Sequence, residues 1–85
     1  MDKQATVTIY SATWCAFCHA AKEYLDSKNI KYDDKDVEAD PENGNEAIKL
    51  SGQRGIPVLN IGGDIIVGFD RPKIDTALQA HSLIT

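Results

Sequence analysis

The spacing of apolar positions changes along this chain, and each change marks an element. Ala5-Thr6-Val7-Thr8-Ile9-Tyr10 alternates apolar and polar and is rich in β-branched residues, which predicts a strand. Ser11 to Trp14 forms a loop. From Cys15 the period lengthens: Cys18, Ala21 and Leu25 share one helical face, with Phe17 and Tyr24 beside it. Lys22, Glu23, Asp26 and Lys28 fall elsewhere on that helix, and Asn29 is its expected stop. A poorer strand is expected within 30–37, with Ile30, Tyr32 and Val37 as its apolar members. Strand, helix and strand in so short a stretch imply a right-handed crossover and a parallel pair.

Asp40-Pro41 has the form of a cap and first residue of a second helix, whose apolar residues are Ala47, Ile48 and Leu50. Gly44 weakens the first turn and is expected to delay the start, and Gly52 can end the helix. Val58–Ile61 and Asp64–Gly68 flank Gly62-Gly63, a strong hairpin signal. Asp70 can cap a last helix with Pro72 in its first turn and Ile74, Leu78 and His81 on one face.

Length and charge narrow the picture. Eighty-five residues suit one domain spanning 1–85, with a modest core. A net charge of −4 argues against nucleic acid or an anionic membrane surface as partner. No basic-then-apolar leader opens the chain, since Met1-Asp2-Lys3-Gln4 leads directly into the strand. No apolar run reaches membrane-spanning length. The expectation is a cytoplasmic monomer. The acids Asp33, Asp34, Asp36, Glu38, Asp40, Glu42 and Glu46 read as a solvated surface around a helix start rather than a docking patch.

The two cysteines change the picture most. Cys15 and Cys18 stand where a strand gives way to a helix. The first turn of a helix has unpaired N–H groups and partial positive charge, which favour a thiolate. In such settings thiol pKa values fall from about 8.5 to roughly 3.5–7.5. Cys18 lies one turn later and faces the core, while Cys15 is expected at the exposed tip. The pair therefore reads as a reversible dithiol, with Cys15 as nucleophile and Cys18 as resolving thiol. Two other chemistries use such residues. Cys15-x-x-Cys18-His19 spells the haem-attachment signature, but that chemistry needs a secreted chain and a second axial ligand. A zinc site would need His81, which nothing in the sequence brings to the pair. No metal site is expected, and His19 reads as a surface residue near the active site.

The order strand, Cys-x-x-Cys, helix, strand, helix, Ile-Pro, hairpin and helix resembles the thioredoxin-like superfamily, and within it the glutaredoxins. Tyr10-Ser11 leading to Trp14-Cys15-x-x-Cys18 carries the resemblance. So do Gly55-Ile56-Pro57, and Gly62-Gly63 followed by Val67-Gly68-Phe69-Asp70. It implies an α/β fold with a four-stranded mixed sheet and helices on both faces. It implies a cis Ile56-Pro57 bond beside the cysteines and thiol–disulfide oxidoreductase activity. It further implies a substrate and glutathione site at Thr13, Trp14, Phe17, Arg54, Ile56, Pro57, Gly68, Phe69 and Asp70. Glutathione is then the expected co-substrate, with no tightly bound cofactor and disulfide-containing proteins as substrates. Some glutaredoxins also bridge two chains through an iron–sulfur cluster, a minor alternative.

There are departures. Ala12 stands where many glutaredoxins carry a lysine that holds a glutathione carboxylate, a task left to Gln53 or Arg54. Ala16-Phe17 replaces the usual Pro-Tyr. Phe69-Asp70-Arg71-Pro72 is closer to the redoxins that serve ribonucleotide reductase and are recharged by thioredoxin reductase.

Overall fold

The computed structural model describes residues 6–83, so Ala5 and the segment Met1 to Gln4 lie outside the described residues. Its elements are β1 (Val7–Ser11), α1 (Ala16–Ser27), β2 (Asp33–Asp36), α2 (Pro41–Ser51), β3 (Val58–Ile61), β4 (Asp64–Val67) and α3 (Arg71–Ala80). The sheet order is β2-β1-β3-β4. β1 and β2 are parallel, as the strand–helix–strand pattern implies, and the other two pairings are antiparallel.

Alternation along the strands divides the sheet into two faces. Ile9, Leu59 and Ile66 are opposite one another across the register, and Tyr10, Val58 and Val67 are the next set along. The first set joins Ala21 and Leu25 of α1 and Ile74, Ala77 and Leu78 of α3 in the main core. Tyr10 and Val58 instead pack with Ala47 of α2. Helices thus cover both faces, and the sheet is mixed, as expected.

The helix ends are built from local backbone chemistry. Asn29 at the end of α1 has φ 58°, and Ile30 donates its N–H to Leu25 O while Asn29 donates to Asp26 O. This left-handed ending returns Ile30 to the main core beside Leu25. Ser82 and Leu83 repeat the arrangement after α3. Gly62 and Gly63 both have positive φ, as the two-residue hairpin between β3 and β4 requires. The His81 ring lies so close to Gly62 that a Cβ there would stand 2.6 Å from it.

Two expectations need correction. The second strand holds none of its expected apolar members. It is Asp33–Asp36, with Ile30 and Tyr32 before it and Val37 after it. Pairing with β1 defines this edge strand, and its charged side chains suit a position with a neighbour on one side only. Gly44 does not delay α2, which begins at Pro41, because Asp40 Oδ1 accepts the Glu42 N–H at 3.0 Å and sets the first turn. The acidic run has local work to do: Asp36 Oδ1 accepts from the N–H of Glu38 and of Ala39, and Asp34 pairs with Lys22.

Candidate active site

β1 ends at Ser11 and its continuation brings both cysteines to that end of the sheet. Thr13 and Trp14 form a turn closed by the Cys15 N–H, which donates to Ala12 O at 3.1 Å. Cys15 is the N-cap of α1: its backbone is extended and its Sγ accepts the Cys18 N–H at 3.1 Å. A group that normally would be a serine or aspartate oxygen is here a sulfur. Cys15 and Cys18 form a disulfide, with Cα atoms 5.2 Å apart.

The expected exposure of Cys15 is not found. Cys15 is only 6% exposed and Cys18 0%, so only their order is as expected. Ala12, itself 1% exposed, packs against both cysteines, with Val37 and Ile56 at the margin. The exposed groups are the neighbours: Trp14 is 66% and Phe17 68% exposed. Phe17 therefore forms part of the rim and not of the core.

The other expected site residues divide into those that converge and those that do not. Ile56 reaches the cysteine cluster, and the Ile56-Pro57 bond is cis with Pro57 fully buried. Gly68, at φ +81°, donates its N–H to Pro57 O at 2.8 Å, which ties the segment before α3 to the cis-proline turn. A side chain at Gly68 would be strained at that φ. Asp70 caps α3 through its Oδ1 and the Lys73 N–H at 3.3 Å. Phe69 turns from the site onto the main core. Gln53 folds back on its own loop, donating to Gly55 O and Ser51 Oγ, so Arg54 is the exposed polar residue there. Thr13 is exposed, and its carbonyl accepts from His19 Nε2 at 2.7 Å.

A polar network beneath α1 escaped sequence reasoning. Ser11 Oγ, fully buried, donates to Asp34 Oδ1 at 2.6 Å, and Lys22 Nζ is 2.6 Å from Asp34 Oδ2. Burial pushes the Asp34 carboxyl up, but the hydrogen bonds from Lys22 and Ser11 and the Lys22 charge outweigh it and hold the group below its ordinary value. The only available signal was the spacing of Lys22 from Cys18, one turn apart on α1. His81, the one distant candidate for a metal ligand, pairs instead with Asp64 at 3.0 Å. A cavity of about 310 Å³ between β4 and α3, lined by Ile66, Pro72 and Ala77 among others, includes neither cysteine. Among the described residues no helix is long and apolar enough to cross a membrane.

A paired Cys-x-x-Cys capping a helix, beside a cis-proline on a four-stranded mixed sheet, defines a thiol–disulfide oxidoreductase of the thioredoxin fold. The chain belongs to the glutaredoxin family: the family's model matches residues 7–66. It is 45% identical over 73 residues to an uncharacterized glutaredoxin-like 8.6 kDa protein in the rubredoxin operon of Clostridium pasteurianum, covering 86% of this chain and 97% of that one. Among solved structures it is similar to a mutant of the thioredoxin-like protein BC3987, at TM-score 0.82 and 26% identity over 87% of this chain and 95% of that one. It is also similar to the glutaredoxin-like NrdH-redoxin of Escherichia coli, at TM-score 0.74 and 30% identity over 84% and 92%.

Proposed function

We propose that the protein is a cytoplasmic dithiol oxidoreductase that reduces protein and glutathione mixed disulfides and is recharged by glutathione. The Cys15 thiolate attacks one sulfur of the substrate disulfide, forming a mixed disulfide and expelling a thiolate that takes up a proton. The Cys18 thiolate then attacks the Cys15 sulfur, closing the Cys15–Cys18 bond and releasing the second substrate thiol. One glutathione thiolate opens that bond at Cys15. A second attacks the glutathione sulfur, leaving oxidised glutathione and the dithiol. No tightly bound cofactor takes part.

The Gly68 hydrogen bond to Pro57 carries this reading. It joins the two segments expected to hold glutathione and sets them beside Ile56, which touches the cysteine cluster. An extended thiol peptide lying over Cys15 would pair with the backbone of Ile56. Its carboxylate would reach the start of α3. Arg54 is the cation left free to assist. The exposed Trp14 and Phe17 offer apolar contact to a protein substrate.

A second reading is a ribonucleotide-reductase-type redoxin recharged by thioredoxin reductase. The buried, uncharged Ala12 favours it, as does the likeness to NrdH-redoxin, whose reported profile is thioredoxin-like. A coupled assay that supplies glutathione with its reductase, and separately thioredoxin reductase, decides between them. Turnover with the first alone is expected. Turnover with the second alone would replace the glutathione reading.

A further inference from the structure

Tyr24 lies half-buried on α1, the helix that carries Cys18, and its contacts reach the far side of the candidate ligand site. Its ring meets Phe69 edge-on, with centroids 6.0 Å apart and planes at 61°. The Arg71 guanidinium carbon lies 4.7 Å from the ring centroid, and Lys28 Nζ 5.6 Å from it. Its hydroxyl donates to Asp75 on α3. Phe69 and Arg71 bracket Asp70, so one side chain grips the segment before α3 on both sides of its cap. That segment is anchored along its backbone at Gly68 and at the Asp70 cap. Neither anchor fixes its distance from α1. The Tyr24 ring bridges the segment and α1, through an aromatic pair with Phe69 and the Arg71 cation above its face.

We propose that Tyr24 is a positioning residue that sets the spacing between the cysteine helix and the segment Gly68–Asp70, and through it the affinity for glutathione conjugates. The proposal rests on the reading of Gly68–Asp70 as the glutathione carboxylate subsite. A conjugate must reach Cys15 with its sulfur and the start of α3 with its γ-glutamyl end at once. A shift of one support against the other weakens binding and leaves the sulfur chemistry as it was.

The test uses a peptide glutathionylated on its one cysteine, and the same peptide carrying a mercaptoethylamine disulfide, which lacks the γ-glutamyl group. Tyr24→Leu should raise KM for the glutathionylated peptide about tenfold, or about 1.4 kcal/mol. Its kcat should stay within about twofold, and the mercaptoethylamine peptide should be unaffected, because only uniform binding is lost. Tyr24→Phe keeps the ring on Phe69 and Arg71, and should return KM to within about threefold of the parent. Arg71→Gln leaves Tyr24 in place and should raise the same KM, which keeps the idea testable if Tyr24→Leu does not fold. If the parent protein does not distinguish the two peptides, the subsite reading fails and the proposal with it. If the parent distinguishes them and Tyr24→Leu does so equally well, the role of Tyr24 alone is refuted. Equal losses on both peptides would make Tyr24 a structural residue and also overturn it.

Discussion

Cys15 Sγ accepts the backbone N–H of Cys18 at 3.1 Å, so the sulfur of one cysteine caps the helix that begins the other's turn. When the pair is reduced, that N–H and its neighbours at the start of α1 face a thiolate in place of a disulfide sulfur. A charged acceptor gains more from such a donor than a neutral one. The reduced Cys15 thiol is therefore held below the ordinary thiol value by the N–H groups at the start of α1. Cys18, buried and later in the helix, has no such donor set. Iodoacetamide at pH 6 should modify Cys15 first. Cys15→Ser should abolish turnover. Cys18→Ser should accumulate a mixed disulfide and keep a monothiol reaction with glutathione. Mass spectrometry of the trapped species distinguishes the two, and identical behaviour would reverse or void the assignment.

Trp14 and Phe17 leave most of their surface in water next to a buried sulfur. Two large exposed aromatics of this kind are unusual unless a partner covers them. Replacing both by serine should raise KM for a disulfide-bonded protein substrate by about tenfold, the scale of a moderate interface residue. The effect on a small dialkyl disulfide should be smaller, because such a molecule covers less of the rim. Parallel KM measurements on the two substrates check this.

Features written into backbone chemistry were legible before the structure. The cis Ile56-Pro57 bond was expected only from the family resemblance, whereas the Asp40 and Asp70 caps and the Gly62-Gly63 turn each depend on one or two residues with restricted conformations or a short polar reach. The cysteine pairing followed for the same reason, since one helical turn brings both side chains together. Features decided by distant neighbours were not legible. β2 is a strand because Ser11 and its predecessors offer a parallel edge, although its own residues are all charged. Cys15 is buried because Val37 and Ile56 arrive from other parts of the chain to close over it beside the local Ala12. The sequence places Tyr24 only beside the apolar face of its helix, and its partners Phe69, Arg71 and Asp75 are close only in the fold.

Leu25 is fully buried between α1 and the sheet, in the main core with Ile9, Leu59 and Leu78. Leu25→Ala removes methyl groups from a site whose strands and helices are held from several sides. The cost should be about 2–5 kcal/mol, a large part of a small domain's stability. Leu25→Met should cost less than about 1.5 kcal/mol. Urea unfolding midpoints at neutral pH measure both. A near-neutral Leu25→Ala would mean that α1 packs loosely on the sheet.

Asp34 ties β2 to both β1 and α1, and its carboxyl is held below the ordinary value despite partial burial. The unfolded carboxyl has its usual value of about 3.9. A depressed folded value means that the unfolded chain binds the proton more tightly. The stabilisation is then present at pH above the unfolded value, and is lost as pH falls through the folded one. Glu46 acts in the same direction, its carboxyl lowered by hydrogen bonds from Tyr10 and Lys35. The parent protein should therefore lose urea resistance on acidification from about pH 5 downward. Asp34→Asn should be less stable than the parent at pH 7 and should show a shallower acid slope, since one of the linked protons is gone. Lys22→Met, which removes the hydrogen bond and charge of Lys22 and leaves the Ser11 hydroxyl and the His19 charge, should also flatten that slope, because the carboxyl then returns toward its unfolded value. Unfolding midpoints taken at several pH values between 3 and 7 test this. An unchanged slope in both variants would place the acid sensitivity elsewhere in the molecule.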